Sequence, residues 1–316
     1  MTAEKILITG ATGFIGRRLI RAAAKQSYAV QPVSRSRGDA DGVVVGDIGP
    51  RTDWSGALKG IAVVVHLAAR VHQMSNGAAD VLDDYRAVNT LGTERFASQA
   101  AAAGVRRFVF LSTVKVNGES TRAGRAFSEK DDPNPGDAYA RSKIEAEQRL
   151  QDIGRQSRME VVTIRPPLVY GPGVKANFLT MLHWLAKGIP LPLGAIHNHR
   201  SLVALDNLVD FILTCSRHPA AANQTFFVAD GKDLSTTALL EAAAAAMHRP
   251  ARLFPVPAGI LELGAALLGK QAIARRLCDS LQVDSRKARN VLGWRPPISV
   301  EAGIQQTVDW YLNTAK

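Results

Sequence analysis

Six short apolar runs, rich in β-branched residues, recur through the first 170 residues: "KILITG" (5–10), "YAVQPVS" (28–34), "GVVVGD" (42–47), "AVVVHLAA" (62–69), "RRFVFLS" (106–112) and "MEVVTIRP" (159–166). They alternate with longer polar or alanine-rich segments of helical length. A short run that is apolar on both sides of the chain suits a strand buried on both faces, and helices laid over a parallel sheet provide that burial. The expected fold is therefore α/β, a doubly wound, Rossmann-like parallel sheet. After "YGPG" (170–173) the alternation loosens, so residues 1–170 are read as one domain and 171–316 as a smaller cap. Within the second part, "SLVAL" and "TFFVA" are expected to rejoin the sheet, over residues 200–230.

A chain of 316 residues with 46% hydrophobic content has enough apolar material for a full core. Its two cysteines, Cys215 and Cys278, are far apart and fit neither a disulfide framework nor a metal-ligand spacing. No metal site is expected, and a reducing, cytoplasmic setting is. The start, "MTAEKILITG", runs into a strand without the pattern of an export signal. The nearest approach to a membrane span, "LFPVPAGILELGAALLG" (253–269), holds two prolines and Glu262 and is shorter than the ~20 residues a span needs. It reads as a buried or interfacial helix, not a transmembrane segment. A net charge of +11 favours anionic partners. The basic residues are scattered and aromatic residues make up only 6%, which argues against nucleic acid and for an anionic small molecule.

Between the first strand and the helix after it lies "TGATGFIG" (9–16), with Gly10, Gly13 and Gly16. In that setting the glycines permit a tight turn, close approach of backbone to a pyrophosphate and close packing of helix on strand. The free N–H groups at the helix start favour an anion. The segment predicts a dinucleotide-binding domain. At the end of the second strand, where an acidic residue commonly holds the adenosine ribose, the chain reads "VSRSRG". Arg35 there suits a 2′-phosphate, so NADP(H) is the expected cofactor. NAD(H) remains open through Asp39 or Asp41, with Arg35 and Arg37 as solvated loop residues.

On a helix, "DAYARSKIEAE" places Tyr139 and Lys143 on one face, one turn apart. A phenol beside a cation is a proton donor and acceptor in waiting. Free tyrosine has a pKa near ~10, and bringing it near neutrality requires roughly 4 kcal/mol of differential stabilisation from nearby positive charge. In "FVFLSTVKVNG", Ser112 and Thr113 fall at the carboxyl end of a strand, where ligands bind in such sheets. Thr113 is placed to hold the substrate oxygen that Tyr139 protonates.

Together these segments resemble the extended short-chain dehydrogenase/reductase family, in particular its nucleotide-sugar branch. The likeness runs over nearly the whole chain, through "TGATGFIG", "GDI", "HLAA", "VNTLGT", "STVKVNG", "YARSK", "RPPLVYGPG", "RSLVALDNLVDF" and "LGWRPPISVEAGIQQTVDWY". It implies Tyr139, Lys143 and Thr113 as the catalytic group. It implies cofactor contacts from the glycine loop with Phe14 and Ile15, from Asp47 and Ile48 at the adenine, from Leu67, Ala68 and Ala69, and from the segment at Pro166 and Pro167. Lys143 would hold the nicotinamide ribose. On the substrate side it implies Arg200 at the nucleotide diphosphate and Arg286 as a further phosphate contact; Ser112 stands beside Thr113 at the substrate oxygen, and Asn177 is the candidate to take the place of an asparagine the family carries at Leu168. A homodimer is also implied.

Two departures narrow the reaction. Sugar dehydratases of the family carry an Asp-Glu pair after the threonine, where this chain has Val114 and Lys115, so dehydration is not expected. Many members carry asparagine where this chain has Leu168. With Arg35, the resemblance implies NADPH-dependent reduction of a UDP-linked 4-keto-6-deoxy-N-acetylhexosamine, giving UDP-N-acetylquinovosamine for surface polysaccharide and lipopolysaccharide O-antigen. A UDP-sugar 4-epimerase on bound NAD is the alternative. A non-catalytic NADP-binding regulator is a third, disfavoured because Tyr139, Lys143 and Thr113 are all present.

Overall fold

Alternate side chains of the apolar runs enter different cores. Ile6, Ile8, Val63, Val65, Val162 and Ile164 pack on one side, while Leu7, Val64, Phe108, Phe110 and Val161 pack on the other. That two-sided burial is the reason these segments are strands covered by helices on both faces. The computed structural model describes residues 4–36, 42–71, 78–122 and 124–314, with backbone alone at 78–80.

The strands are β1 (Lys5–Thr9), β2 (Ala29–Ser34), β3 (Val43–Val44), β4 (Val63–His66), β5 (Arg107–Leu111), β6 (Glu160–Arg165), β7 (Leu168–Tyr170), β8 (Leu202–Ala204) and β9 (Thr225–Phe227). Seven of them form one parallel sheet in the order β3-β2-β1-β4-β5-β6-β9. Strand order reverses at β1, so the loops leaving β1 and β4 diverge and open a crevice at their carboxyl ends.

The helices are α1 (Phe14–Lys25), α2 (Ala78–Tyr85), α3 (Thr93–Ala102), α4 (Ala138–Gln156), α5 (Ala176–Ala186), α6 (Leu205–Arg217), α7 (Thr236–Ala246), α8 (Ala258–Leu267), α9 (Gln271–Cys278), α10 (Arg286–Leu292) and α11 (Val300–Thr314). Helices α1 and α6 pack together on one face, tied by a two-pronged Arg18–Asp206 ion pair with contacts of 2.6 and 2.9 Å. On the opposite face α3 lies against α4. A π-helical turn, Arg86–Gly92, joins α2 to α3 without a break.

Of the two segments expected to rejoin the sheet, only Thr225–Phe227 does so, beside β6. Leu202–Ala204 instead pairs with Leu168–Tyr170 in a separate two-stranded parallel ribbon. The physical reason lies at Pro166 and Pro167: neither has an N–H to donate, so the ladder of β6 stops there and the chain leaves the sheet. The ribbon is bound to the remaining elements by Tyr170, whose hydroxyl donates to Asp230 at 2.8 Å, while the same carboxylate accepts from the Ala204 N–H and the Asn207 side chain. A separate core gathers Tyr170, Phe178 and Leu182 with residues of α7 and α11.

The segment 253–269 is a correction in part. Its helix, α8, spans Ala258–Leu267 and contains no buried residue. Ala258 and Leu261 lean on the cap core, but Ile260, Leu263 and Leu267 face outward, 61%, 65% and 82% exposed.

The glycine loop carries the tightest contact of the fold. A Cβ built on Gly16 would stand 2.1 Å from the Gly10 carbonyl oxygen, a backbone atom that cannot turn aside. Gly16→Ala is expected to push α1 off β1 and lower stability by about 1–3 kcal/mol, the usual range for overpacking. Urea unfolding measures the loss.

Candidate active site

The crevice begins at Thr9, the last residue of β1. Its hydroxyl accepts from the N–H groups of Leu67 and Ala68 at 3.1 and 3.2 Å and lies 2.7 Å from His66 Nδ1. The other ring nitrogen of His66 is 3.0 Å from the Thr93 hydroxyl. Burial, with the Lys143 charge second, pushes the His66 pKa down to about 3, so the imidazole is a neutral strut between β1, β4 and α3. Gly10, at φ +66°, brings its Cα so close to this junction that a Cβ would meet the Ala68 nitrogen at 3.0 Å.

The start of α1 is left open for an anion. Gly13 caps it without a side-chain hydrogen bond, and no acidic residue stands in its first turn. Phe14 and Ile15 follow and are partly buried. Free N–H groups with the positive end of the helix dipole suit a dinucleotide pyrophosphate. At the far end of the crevice Arg35 is exposed and stands 4.0 Å from the still more exposed Asp47. Ile48 is partly buried against the core under α3. Arg37, Asp39 and Asp41 lie outside the described residues.

Tyr139 and Lys143 occupy the first turns of α4. Asp137 caps that helix, accepting from the Ala140 N–H at 2.7 Å. The Asp137 carboxylate also meets Lys115 Nζ at 2.6 Å, and Lys115 belongs to the turn that follows Thr113. This ion pair ties the loop after β5 to the helix carrying Tyr139. The Thr113 hydroxyl accepts from the Lys115 N–H at 3.3 Å and so caps the same turn. The Tyr139 ring meets Tyr85 edge-on, with centroids 6.1 Å apart.

Lys143 is 1% exposed, with Nζ 3.8 Å from the centre of the Phe110 ring. Burial pushes its pKa down to about 7, against the opposing pull of Glu147 one turn further on. The Tyr139 phenol is raised above its ordinary range, first by burial and then by the Asp137 carboxylate and the neighbouring Tyr85 phenol. Nearby positive charge would lower it. In the chain alone burial wins, because Lys143 sits in the same desolvated setting and its charge is itself disfavoured.

Beneath this pair runs a buried polar chain. Glu147 receives Arg165 in a multiply bonded ion pair, closest contact 2.5 Å, and Arg165 also donates to Asn117 at 2.9 Å. The Ser112 hydroxyl donates to Glu147. Ser112, expected beside Thr113 at the substrate, is 4% exposed and its hydroxyl is engaged with the scaffold at Glu147.

The remaining residues divide. Pro166 is buried and its carbonyl accepts from the Val114 N–H at 3.0 Å, which holds the Thr113 turn against the end of β6. Arg200 is partly buried, donates one N–H to the Asp279 carbonyl at 3.0 Å, and has its pKa lowered by burial. Such a desolvated cation favours an anionic partner. The Arg286 side chain is exposed and folds back on Asp284 at 2.6 Å. Its position in "DSRKAR" allows this, since the acid two residues earlier satisfies it locally. Asn177 is exposed near the start of α5.

Asn89 is among the residues at the site that the sequence did not single out. Asn89, in the π-helical turn, is 1% exposed; its side chain accepts from the Arg70 N–H at 2.8 Å and donates to the Arg70 carbonyl and to the Ser142 hydroxyl. It thereby holds the loop after β4 against α4 beside Lys143. The only signal in the sequence was the asparagine in "VNTLGT", which as a string gives no hint of a π turn.

Residues 6–229 match the NAD dependent epimerase/dehydratase family. The chain belongs to it. This is an enzyme family of the extended short-chain dehydrogenase/reductase type, as the sequence implied. Among curated relatives, the UDP-glucose 4-epimerase of Vibrio cholerae is 46% identical, over 98% of this chain and 96% of its own length. Among solved structures, MoeE5 in complex with UDP-glucose and NAD superposes with TM-score 0.77 at 23% identity, covering 99% of this chain and 100% of that one. The UDP-N-acetylglucosamine 4-epimerase from Bacillus cereus superposes with TM-score 0.80 at 18% identity, covering 99% and 97%. These superpositions establish the Rossmann-like fold.

Two outcomes follow for this family member. Glu147→Gln leaves Arg165 buried without its counter-charge, and a loss of about 3–5 kcal/mol is expected in urea unfolding. The second concerns pH. Unfolded, His66 takes up a proton near its ordinary value of 6.5, whereas in the fold it resists protonation until about 3. The unfolded state therefore binds more protons between those values, and stability present above pH 6.5 is lost as pH falls toward 3, at up to about 1.4 kcal/mol per pH unit. Melting curves across that range should flatten in His66→Gln.

Proposed function

We propose that this chain is a UDP-sugar 4-epimerase working in the cytoplasm on tightly retained NAD, with Tyr139, Lys143 and Thr113 at the reacting carbon. The observation that carries this reading is the 46% identity with the Vibrio cholerae 4-epimerase over nearly both full lengths. The site agrees with it: Tyr139 lies one helical turn from a lysine 1% exposed, at the carboxyl end of a parallel sheet.

The crevice fits a dinucleotide. The unblocked start of α1 and the close approach of Gly10 to Ala68 leave backbone, not side chains, facing a diphosphate. When bound, NAD supplies reversible hydride acceptance at a sugar carbon. The chain supplies the proton chemistry and the geometry. Tyr139 removes the proton from the C4 hydroxyl as the carbon is oxidised and gives it back as the carbon is reduced. Thr113 donates to the same oxygen and fixes its distance from the phenol. Lys143, one turn along the same face of α4, is the charge that, when protonated, opposes the burial that raises the phenol. Arg200 pairs with the diphosphate of the substrate.

Tyr139→Phe keeps the ring that packs on Tyr85 and removes only the proton carrier. Turnover is expected to fall by about 10²–10⁴-fold with cofactor content unchanged. Undiminished turnover would refute the assignment.

A second reading, the NADPH-dependent 4-reductase forming UDP-N-acetylquinovosamine, is favoured by one observation. Arg35 stands at the exit of β2, where a 2′-phosphate would lie. Against it, the same guanidinium faces Asp47. Denaturing the purified protein and identifying the released cofactor separates the two readings, together with assays on UDP-sugars with and without NADPH. Retained NAD and interconversion without added NADPH are expected. An empty protein that consumes NADPH stoichiometrically on a 4-keto substrate would establish the reductase instead.

A further inference from the structure

The helical hairpin α8–α9 presents an apolar surface that no other part of the described chain covers. Its inner stripe, Ala258 and Leu261 on α8 with Leu277 and Cys278 on α9, packs on the core around Tyr170 and Phe178. The outer stripe is equally apolar. Ile260, Leu263 and Leu267 fall at helical spacing on one side of α8, Leu268 continues the line into the turn, and Ile273 extends it onto α9; all five are between 53% and 82% exposed. The two leucines at the tip, Leu267 and Leu268, are the most exposed large apolar residues described. Scattered exposed leucines are ordinary, but a contiguous apolar stripe on a protruding element marks an interaction surface.

Charge indicates what meets it. From 258 to 278 the hairpin carries one acidic residue, Glu262, against Lys270, Arg275 and Arg276. All three cations are exposed, and Lys270 directly follows the leucine-bearing turn. Lysine and arginine beside an apolar edge keep their stems in the apolar layer and their charges at its border. An isologous contact with a second copy would bring this cationic set against itself, which repels. A negatively charged lipid surface neutralises it, and the net charge of +11 adds long-range attraction. Among the described residues no helix is long and apolar enough to cross a bilayer. The hairpin is thus of the kind that lies at an interface, apolar side into the acyl boundary and cations at the headgroups.

We propose that the α8–α9 hairpin docks this enzyme on the surface of an anionic phospholipid bilayer, with Leu263, Leu267 and Leu268 inserted and Lys270, Arg275 and Arg276 at the headgroups. This docking is independent of the reaction chosen at the active site.

The test uses the full chain in flotation with vesicles of phosphatidylcholine alone and vesicles containing phosphatidylglycerol. The protein is expected to float with the anionic vesicles only, and to leave them as salt is raised. Leu263→Glu with Leu267→Glu should weaken partitioning at least about tenfold while melting temperature and turnover stay unchanged, because neither residue enters a core or the crevice. Lys270→Glu, Arg275→Glu and Arg276→Glu together should abolish the preference for anionic lipid. Three results would overturn the proposal. One is no partitioning of the wild-type chain; another is a leucine variant that floats as well as wild type. The third is a leucine variant that partitions normally but changes from dimer to monomer in sedimentation, which would assign the hairpin to a second copy.

Discussion

The buried Arg165–Glu147 pair is the interaction on which the candidate site depends. Arg165 ends β6 and Glu147 lies inside α4, so the pair fastens the helix bearing Tyr139 and Lys143 to the sheet at a fixed height. Desolvating two charges is costly, and their mutual attraction compensates only when the remaining hydrogen-bonding groups are satisfied. Here Ser112 and Asn117 provide those partners. The ends of β5, β6 and α4 are thereby locked into one arrangement, and the Thr113 turn and the Tyr139 turn cannot drift independently. Glu147 also steadies the Lys143 charge against desolvation, so scaffold and chemistry share one carboxylate.

Much of the sheet was legible because its signal is local. A strand covered on both faces is apolar over most of its length, and the six runs named from sequence contain β1 to β6. The glycine loop was equally legible, since Gly13 and Gly16 answer a steric demand from Gly10 a few residues away, although Gly10 itself answers one from the distant Leu67 and Ala68. Pairing was not. "SLVAL" looks like any buried strand, and nothing within it says that the prolines after β6 divert its partner out of the sheet. Side-chain partners were harder still. Ser112 and Thr113 are neighbours of similar chemistry, yet alternation along the chain sends one hydroxyl down to Glu147 and leaves the other at the crevice. The Arg286–Asp284 ion pair was not legible, because an arginine two residues from an acid reads as available. The apolar run at 253–269 reads as a buried or interfacial helix, and nothing within it says that only Ala258 and Leu261 of α8 would reach a core.

The site residues come from separated parts of the chain, and what gathers them is a set of short tethers. Thr9 gathers the loop after β4, Asn89 binds that loop to α4, and Lys115 binds the loop after β5 to the cap of the same helix. Each tether joins a strand end to α4 or to its neighbour across the crevice. A dinucleotide and a sugar nucleotide entering such a crevice meet a surface already organised, so little of their binding energy is spent on ordering the protein.

The π-helical turn at Arg86–Gly92 has a consequence for how this helix tolerates change. A π turn stores one residue more than an α turn, and each residue of an α-helix advances the face by roughly 100°. The extra residue lets Asn89 and Thr90 both turn toward α4, where they engage the side chain and the carbonyl of Ser142, while Glu94 still reaches Arg149 further along. A one-residue deletion within 86–92 would restore regular α geometry and keep the helix intact. It would also rotate one half of that helix against the other, so either the Ser142 contacts or the Arg149 contact must be lost. The segment is therefore intolerant of a length change that secondary structure alone would accept, a constraint on insertion and deletion in place of residue identity.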